Sequence, residues 1–281
     1  LVLKQIGEEK SYGASFDLAA FWASLFLGRF AQTDKYCINI NQGVLELVEC
    51  EIFGISTGCG AIGGKASPKI RGNKIHGGKI GIYVNNKGQA LVEDNDIFGN
   101  AFSAIAIAGK ACNPTIRHNK IHDGNAGIGI IRGQGLIEDN DIFGNVSEGI
   151  TIHGAGNPTI LGNKIHEGKS SGISGANLPF PMEGNKIQKD KKYEIFLSEK
   201  GQGLIEDNDI FGNAYNGIII FDSWSPIVRG NRINKNTYYA ISIQNKGAGF
   251  IENNDLRDNQ RGAWNISDDS KDLVKRSGNQ E

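Results

Sequence analysis

The tripeptide Asn-x-Ile, with Leu once in place of Ile, recurs at Asn73, Asn95, Asn119, Asn140, Asn163, Asn185, Asn208, Asn231 and Asn254. The intervals are 22, 24, 21, 23, 22, 23, 23 and 23 residues. A period of this length, held over so many copies, is the signature of a stacked repeat and excludes most ordinary folds. Cys50-Glu51-Ile52 lies 23 residues before Asn73 and reads as an earlier copy with Cys in the Asn position. Three residues before each Asn stands an aliphatic residue or Met, from Ile70 through Met182 to Ile251. Further along each unit come alternating apolar pairs such as Ile82 with Val84, Ile128 with Ile130 and Ile218 with Ile220. Each unit therefore carries three short β-segments of period two, parted by Gly, Asn and Asp turns.

One such unit cannot bury its own apolar side chains, whereas stacked copies bury them as continuous inward ladders. Ile and Val dominate, a Leu framework is absent and no helical period runs inside the unit. These features predict an all-β, single-stranded, right-handed parallel β-helix of about ten rungs, a rod roughly 50 Å long at ~4.8 Å per rung. The Asn column is expected to stack its amides inward at a bend. The β-helix is expected over 36–266, preceded by a segment 1–35 and followed by a polar tail 267–281. The tail is expected to be frayed or a linker.

A second period doubles the first. The residue after each ladder position runs Glu51, Lys74, Asp96, Lys120, Asp141, Lys164, Lys186, Asp209, Arg232, Asp255. Signs alternate at every step but one, and cross-strand neighbours of opposite sign are favourable where like signs are costly. Phe53, His76, Phe98, His122, Phe143, His166 and Phe211 keep the same alternation. The phase slips at Lys164 and Lys186, beside Lys189, Lys191 and Lys192. These five lysines read either as a solvated loop or as a site for an anionic ligand, since breaks in a regular scaffold often carry function.

Both ends of a β-helix expose core and need covers. Ser15 is a candidate N-cap for a capping α-helix over about 15–30, within the apolar run from Phe16 to Phe30. That run is apolar nearly all round, so Phe21, Trp22 and Phe26 are the alternative means of docking a partner or assembly. It contains Asp17 and Arg29 and is too short for a transmembrane span. The residues before it are mixed in charge and make a poor signal peptide. The chain begins with Leu, which suggests a fragment or a processed form. The cysteines Cys37, Cys50, Cys59 and Cys112 have no zinc spacing and are too sparse for a disulfide scaffold, so they are expected as reduced buried thiols. The compartment stays open and leans intracellular. A net charge of −1 gives no field to hold a nucleic acid.

The strings NPTIRHNKIHDG (113–124) and GQGLIEDNDIFGN (133–145 and 201–213) strongly resemble the repeats of F-box only protein 11. The chain thereby resembles the parallel β-helix repeat superfamily, also described as carbohydrate-binding and sugar-hydrolase repeats. The resemblance spans roughly residues 43–266. It implies a β-helix and, by analogy with the F-box protein, a substrate-recognition surface. No F-box precedes the repeats and no zinc finger follows them.

Pectate-lyase and epimerase strings are absent, as are a P-loop, a dinucleotide fingerprint and a nucleophile elbow. The best catalytic constellation is the column before the Asn ladder, Asp94, His118 and Asp139, which would set an imidazole between two carboxylates. No cofactor or metal is implied. Tyr83, Phe196 and Phe221 are too scattered for a glycan-stacking face. The sequence is read first as a non-enzymatic interaction or scaffold module for a protein partner. The alternatives are a polysaccharide-binding or polysaccharide-modifying β-helix, with an acidic polysaccharide as ligand, and a structural subunit of a large assembly.

Overall fold

The computed structural model describes residues 2–4, 38–54, 61–154, 156–176, 181–192, 195–198 and 201–281. They form a parallel β-solenoid of about nine turns, with further strands at the ends. Three sheets run along it. The first has ten strands, from Val2–Lys4 to Arg232–Asn234. The second has eleven, from Asn39–Gly43 to Trp264–Ile266, and the third has eleven, from Glu46–Val48 to Val274–Ser277. Every strand pairs in parallel with its counterpart one turn away, as in Ile97↔Ile121 and Ile116↔Ile137.

Period-two alternation puts one row of each sheet inside. Ile75, Ile97, Ile121 and Ile142 of the first sheet, Ile105, Ile128 and Ile150 of the second and Ile116, Ile137 and Ile160 of the third are fully or almost fully buried in one continuous core. Each such Ile contributes about 1.5–3 kcal/mol on burial. The Asn ladder is fully bonded. Asn119 Nδ2 donates to Asn140 Oδ1 (3.0 Å) and to Val92 O (2.9 Å), and its backbone N–H shares the same Asn140 oxygen (3.0 Å). Cys50 heads the ladder through its N–H to Asn73 Oδ1 (2.9 Å).

The corners explain the polar columns. The residue before each ladder Asn is left-handed in every turn: Glu49, Gly72, Asp94, His118, Asp139, Gly162, Gly184, Asp207, Gly230, Asn253 and Gly278 all have φ between 51° and 65°. Gly, Asn, Asp and His tolerate that region best, so conformation selects this column before any chemistry does. A second ladder, unforeseen from the sequence, lies five residues after the first at Asn100, Asn145, Asp190, Asn213, Asn236 and Asn259. Asn213 Nδ2 donates to Asn236 Oδ1 (2.8 Å) and Asn236 Nδ2 to Asn259 Oδ1 (2.9 Å).

Residues 267–281 are not a loose tail. Val274–Ser277 pairs with Gly249–Glu252, and Asn279 Oδ1 accepts from Asn254 Nδ2 (2.9 Å), which extends both sheet and ladder by a further rung. The capping helix expected over about 15–30 lies outside the described residues, as do Phe21, Trp22, Phe26, Cys37 and Cys59. The described regular structure is otherwise β, apart from a 3-10 turn at Lys271–Leu273. Cys50 and Cys112 are free and buried. No described helix is long and apolar enough to cross a membrane.

Candidate ligand-binding face

The outer face of the first sheet carries two columns, because only two side chains per three-residue strand point away from the core. One is the charge column. The other is a column of rings: Phe53, His76, Phe98, His122, Phe143 and His166 stack in one run, with centroids 4.7–5.9 Å apart and planes within 16°. Parallel strand spacing sets that distance, and the alternation of Phe with His places every imidazole between two phenyl rings or at an end.

Each imidazole reaches the acid one rung earlier. His76 Nε2 lies 3.2 Å from Glu51 Oε1, His122 Nε2 2.8 Å from Asp96 Oδ1, and His166 Nε2 2.9 Å from Asp141 Oδ1. His122 Nδ1 also lies 2.8 Å from Asp123 Oδ2. Carboxylates only accept, so His122 makes both bonds only with a proton on each nitrogen. An imidazole between two carboxylates thus exists, four residues after the position expected for it. Of the expected trio, His118 Nε2 and Asp139 Oδ2 come to 3.7 Å with both side chains about half exposed, and no His118–Asp94 bond accompanies them. Asp139 instead folds over the corner, where a Cβ on Gly162 would overlap its Oδ1.

The expected lysine cluster is partly brought together. Lys164 and Lys186 are direct register partners on the face. Lys189 sits at the next corner with Glu167 3.9 Å away. Lys191 and Lys192 stand exposed beyond that corner, on the way to the second sheet. Tyr83 belongs to a separate apolar cluster with Ile80, Ala106 and Ile131 on the second sheet, which keeps it out of any shared face with the ring column.

At the same rung the second ladder holds an acid. Asp190 is 2% exposed, its Oδ1 accepts from Gly168 N–H (2.5 Å), and its Oδ2 has no hydrogen-bond partner. Burial, with Glu167 nearby, pushes its carboxyl up to about 7 against the Gly168 hydrogen bond. Among the described residues no group of three or more His, Cys, Asp or Glu side chains is arranged to hold a metal ion.

No curated protein matches the sequence, so closeness to F-box only protein 11 is not shown. Among solved structures, the chain is similar to the catalytic unit of a thermostable GH87 α-1,3-glucanase from Streptomyces thermodiastaticus, at 15% identity and a TM-score of 0.66, over 88% of this chain and 62% of that one. It thus spans less than two thirds of the glucanase unit. It is also similar to the A-modules of two mannuronan C-5 epimerases of Azotobacter vinelandii. The AlgE6 module gives 13% identity and a TM-score of 0.64 over 93% of this chain and 87% of that one. The AlgE4 module gives 14% and 0.54 over 89% and 91%. Identities this low speak for the fold alone. The sequence also matches the family described as right handed beta helix region over residues 61–188 and 180–277. The chain belongs to that right-handed β-helix family.

Proposed function

We propose that this chain binds a polysaccharide laid along the rod on the outer face of the first sheet. The observation that carries this reading is the unbroken stack from Phe53 to His166, flanked rung by rung by hydrogen-bonding charged groups. The stacked rings turn their edges outward. Beside them Glu51, Lys74, Asp96, Lys120 and Asp141 offer donors and acceptors that repeat at the strand spacing, ~4.8 Å. A linear polymer of similar sugar units can meet the same set at every step. The solved relatives act on glycans by name, which favours this reading over the protein-scaffold role expected from the sequence. The acid–imidazole pairs on the same face favour a second reading, proton transfer to or from the bound polymer. Reducing-end and unsaturated-product assays on the bound polymers test it.

Hydroxyl-radical footprinting of the chain with and without a panel of neutral and acidic glycans tests the first reading. Phe98, His122, Phe143 and His166 are expected to be protected together. Protection confined to the second or third sheet, or no protection by any glycan, overturns it.

A further inference from the structure

Neighbours in the charge column have opposite signs at every step but one. Lys164 faces Lys186 in register, where every other neighbour pair of the column has opposite signs. The acids on either side are already engaged. Asp141 takes both His166 (2.9 Å) and Lys164 (3.4 Å). Asp209 is held by two bonds from Arg232, at 2.8 and 2.6 Å. Lys186 is exposed, and its Nζ lies 5.4 Å above the Phe211 ring, as Lys120 Nζ lies 5.5 Å above Phe143; what sets Lys186 apart is a second lysine, Lys164, as its register partner.

Two further irregularities fall on the same rungs. The ring column stops at His166, continues with the slimmer Gln188 and resumes at Phe211, which leaves an amide between two rings. The adjacent corner column, which carries Asp94, Asp139 and Asp207 elsewhere, has consecutive glycines at Gly162 and Gly184. A Cβ on Gly184 would meet only the Gly162 backbone nitrogen, at 3.9 Å. The mirror slip, Glu183 beside Glu206, lies on the neighbouring third sheet, where Arg229 holds Glu206. Asp139 covers the Gly162 corner, so the phase slip leaves a notch at Gly184 on the proposed glycan face, with two lysines in register and an amide donor beside it.

We propose that Lys164, Lys186 and Gln188 bind an anionic group of an acidic polysaccharide. This rests on the polysaccharide reading above and names its substrate class. A carboxylate or sulfate set between the two ammonium groups converts a like-charge contact into two attractive ones. Gln188 donates to the same oxygens or to a neighbouring hydroxyl.

The test uses the full chain with three probes of equal length: a polyuronate, the same polymer with its carboxyls reduced to alcohols, and a sulfated neutral glycan. Affinity is read by isothermal titration for the wild type, Lys186→Gln, Lys164→Gln and Lys110→Gln. The polyuronate should bind at least tenfold more tightly than its reduced form. Lys186→Gln should remove most of that difference without lowering the melting temperature, while Lys110→Gln, at an exposed lysine beyond the second-sheet strand Ser103–Ala108, should remove little of it. Tight binding of the sulfated probe alone would assign the site to sulfate. Equal binding of the charged probes and the reduced polymer, or unchanged affinity in both Lys186→Gln and Lys164→Gln, overturns the site and leaves the polysaccharide reading standing. No binding by any probe overturns both.

Discussion

Asp190→Asn should stabilise the protein, and more so as the pH rises. Asp190 occupies a position of the second ladder where Asn213 and Asn236 each donate an amide hydrogen to the next rung. A carboxylate has no hydrogen to donate there, and its Oδ2 is buried without a partner. The protonated acid can donate to Asn213 as an amide does, which agrees with a carboxyl raised from 3.8 to about 7. The folded state thus keeps the proton through a window in which the unfolded chain has lost it. The Asp190 contribution to folding stability is full below about pH 4 and falls by about 1.4 kcal/mol per pH unit up to about pH 7. Across that window the loss comes to at most about 4 kcal/mol and then levels off. Asn carries its donor at every pH. Urea denaturation at pH 4, 6 and 8 should therefore show near-equal stability of the two forms at pH 4, and a gap in favour of Asp190→Asn that widens toward about 4 kcal/mol at pH 8. A variant less stable than wild type at pH 8, or one that keeps the full pH dependence, would refute the reasoning.

Other perturbations follow from the same geometry. Asn140→Ala removes the Oδ1 that accepts from the Asn119 N–H and amide, and the amide that donates to Ile116 O and Asn163 Oδ1. It should cost about 3 kcal/mol or more in a urea titration, since buried polar groups lose their partners. Gly162→Ala adds a Cβ at a left-handed corner and against Asp139. It should cost about 1–2 kcal/mol, and the double change with Asp139→Gly should recover the part that comes from the overlap. Burial raises the Cys112 thiol pKa. Iodoacetamide at pH 8 should label Cys112 in urea and leave it largely unlabelled in the native chain, as peptide mass spectrometry would record.

Most of the fold is legible in the sequence because a solenoid repeats the same contact at every turn. One Asn–Ile pair reveals little, but nine in phase reveal the ladder, the strand period and the charge column together. The second ladder is harder to see because its copies at Asn100, Asn145, Asn213, Asn236 and Asn259 are interrupted by Gly78, Gly124 and Gly168 in alternate turns. Their constant offset of five residues from the first ladder was the available signal. The last rung is hard to read in the letters because Ser267–Glu281 is polar. Gly278-Asn279 nevertheless repeats the corner-and-ladder pair of Gly72-Asn73 and Gly162-Asn163. The site was half legible. The charge slip at Lys164 and Lys186 shows in the letters, while the imidazole–carboxylate pairs do not. His118 looked better placed than His122 because the left-handed corner selects Asp and His for their conformation, and this imitates a catalytic column.

The proposed function requires a glycan that runs lengthwise along the first sheet. Equilibrium binding of an acidic oligosaccharide series, from two sugar units upward, measures this directly. If the polymer follows the rungs, affinity should climb with each added unit and level off once the chain spans the stack from Phe53 to the Lys164–Lys186 notch. Affinity independent of length, or saturated by the shortest oligomer, would contradict a lengthwise face.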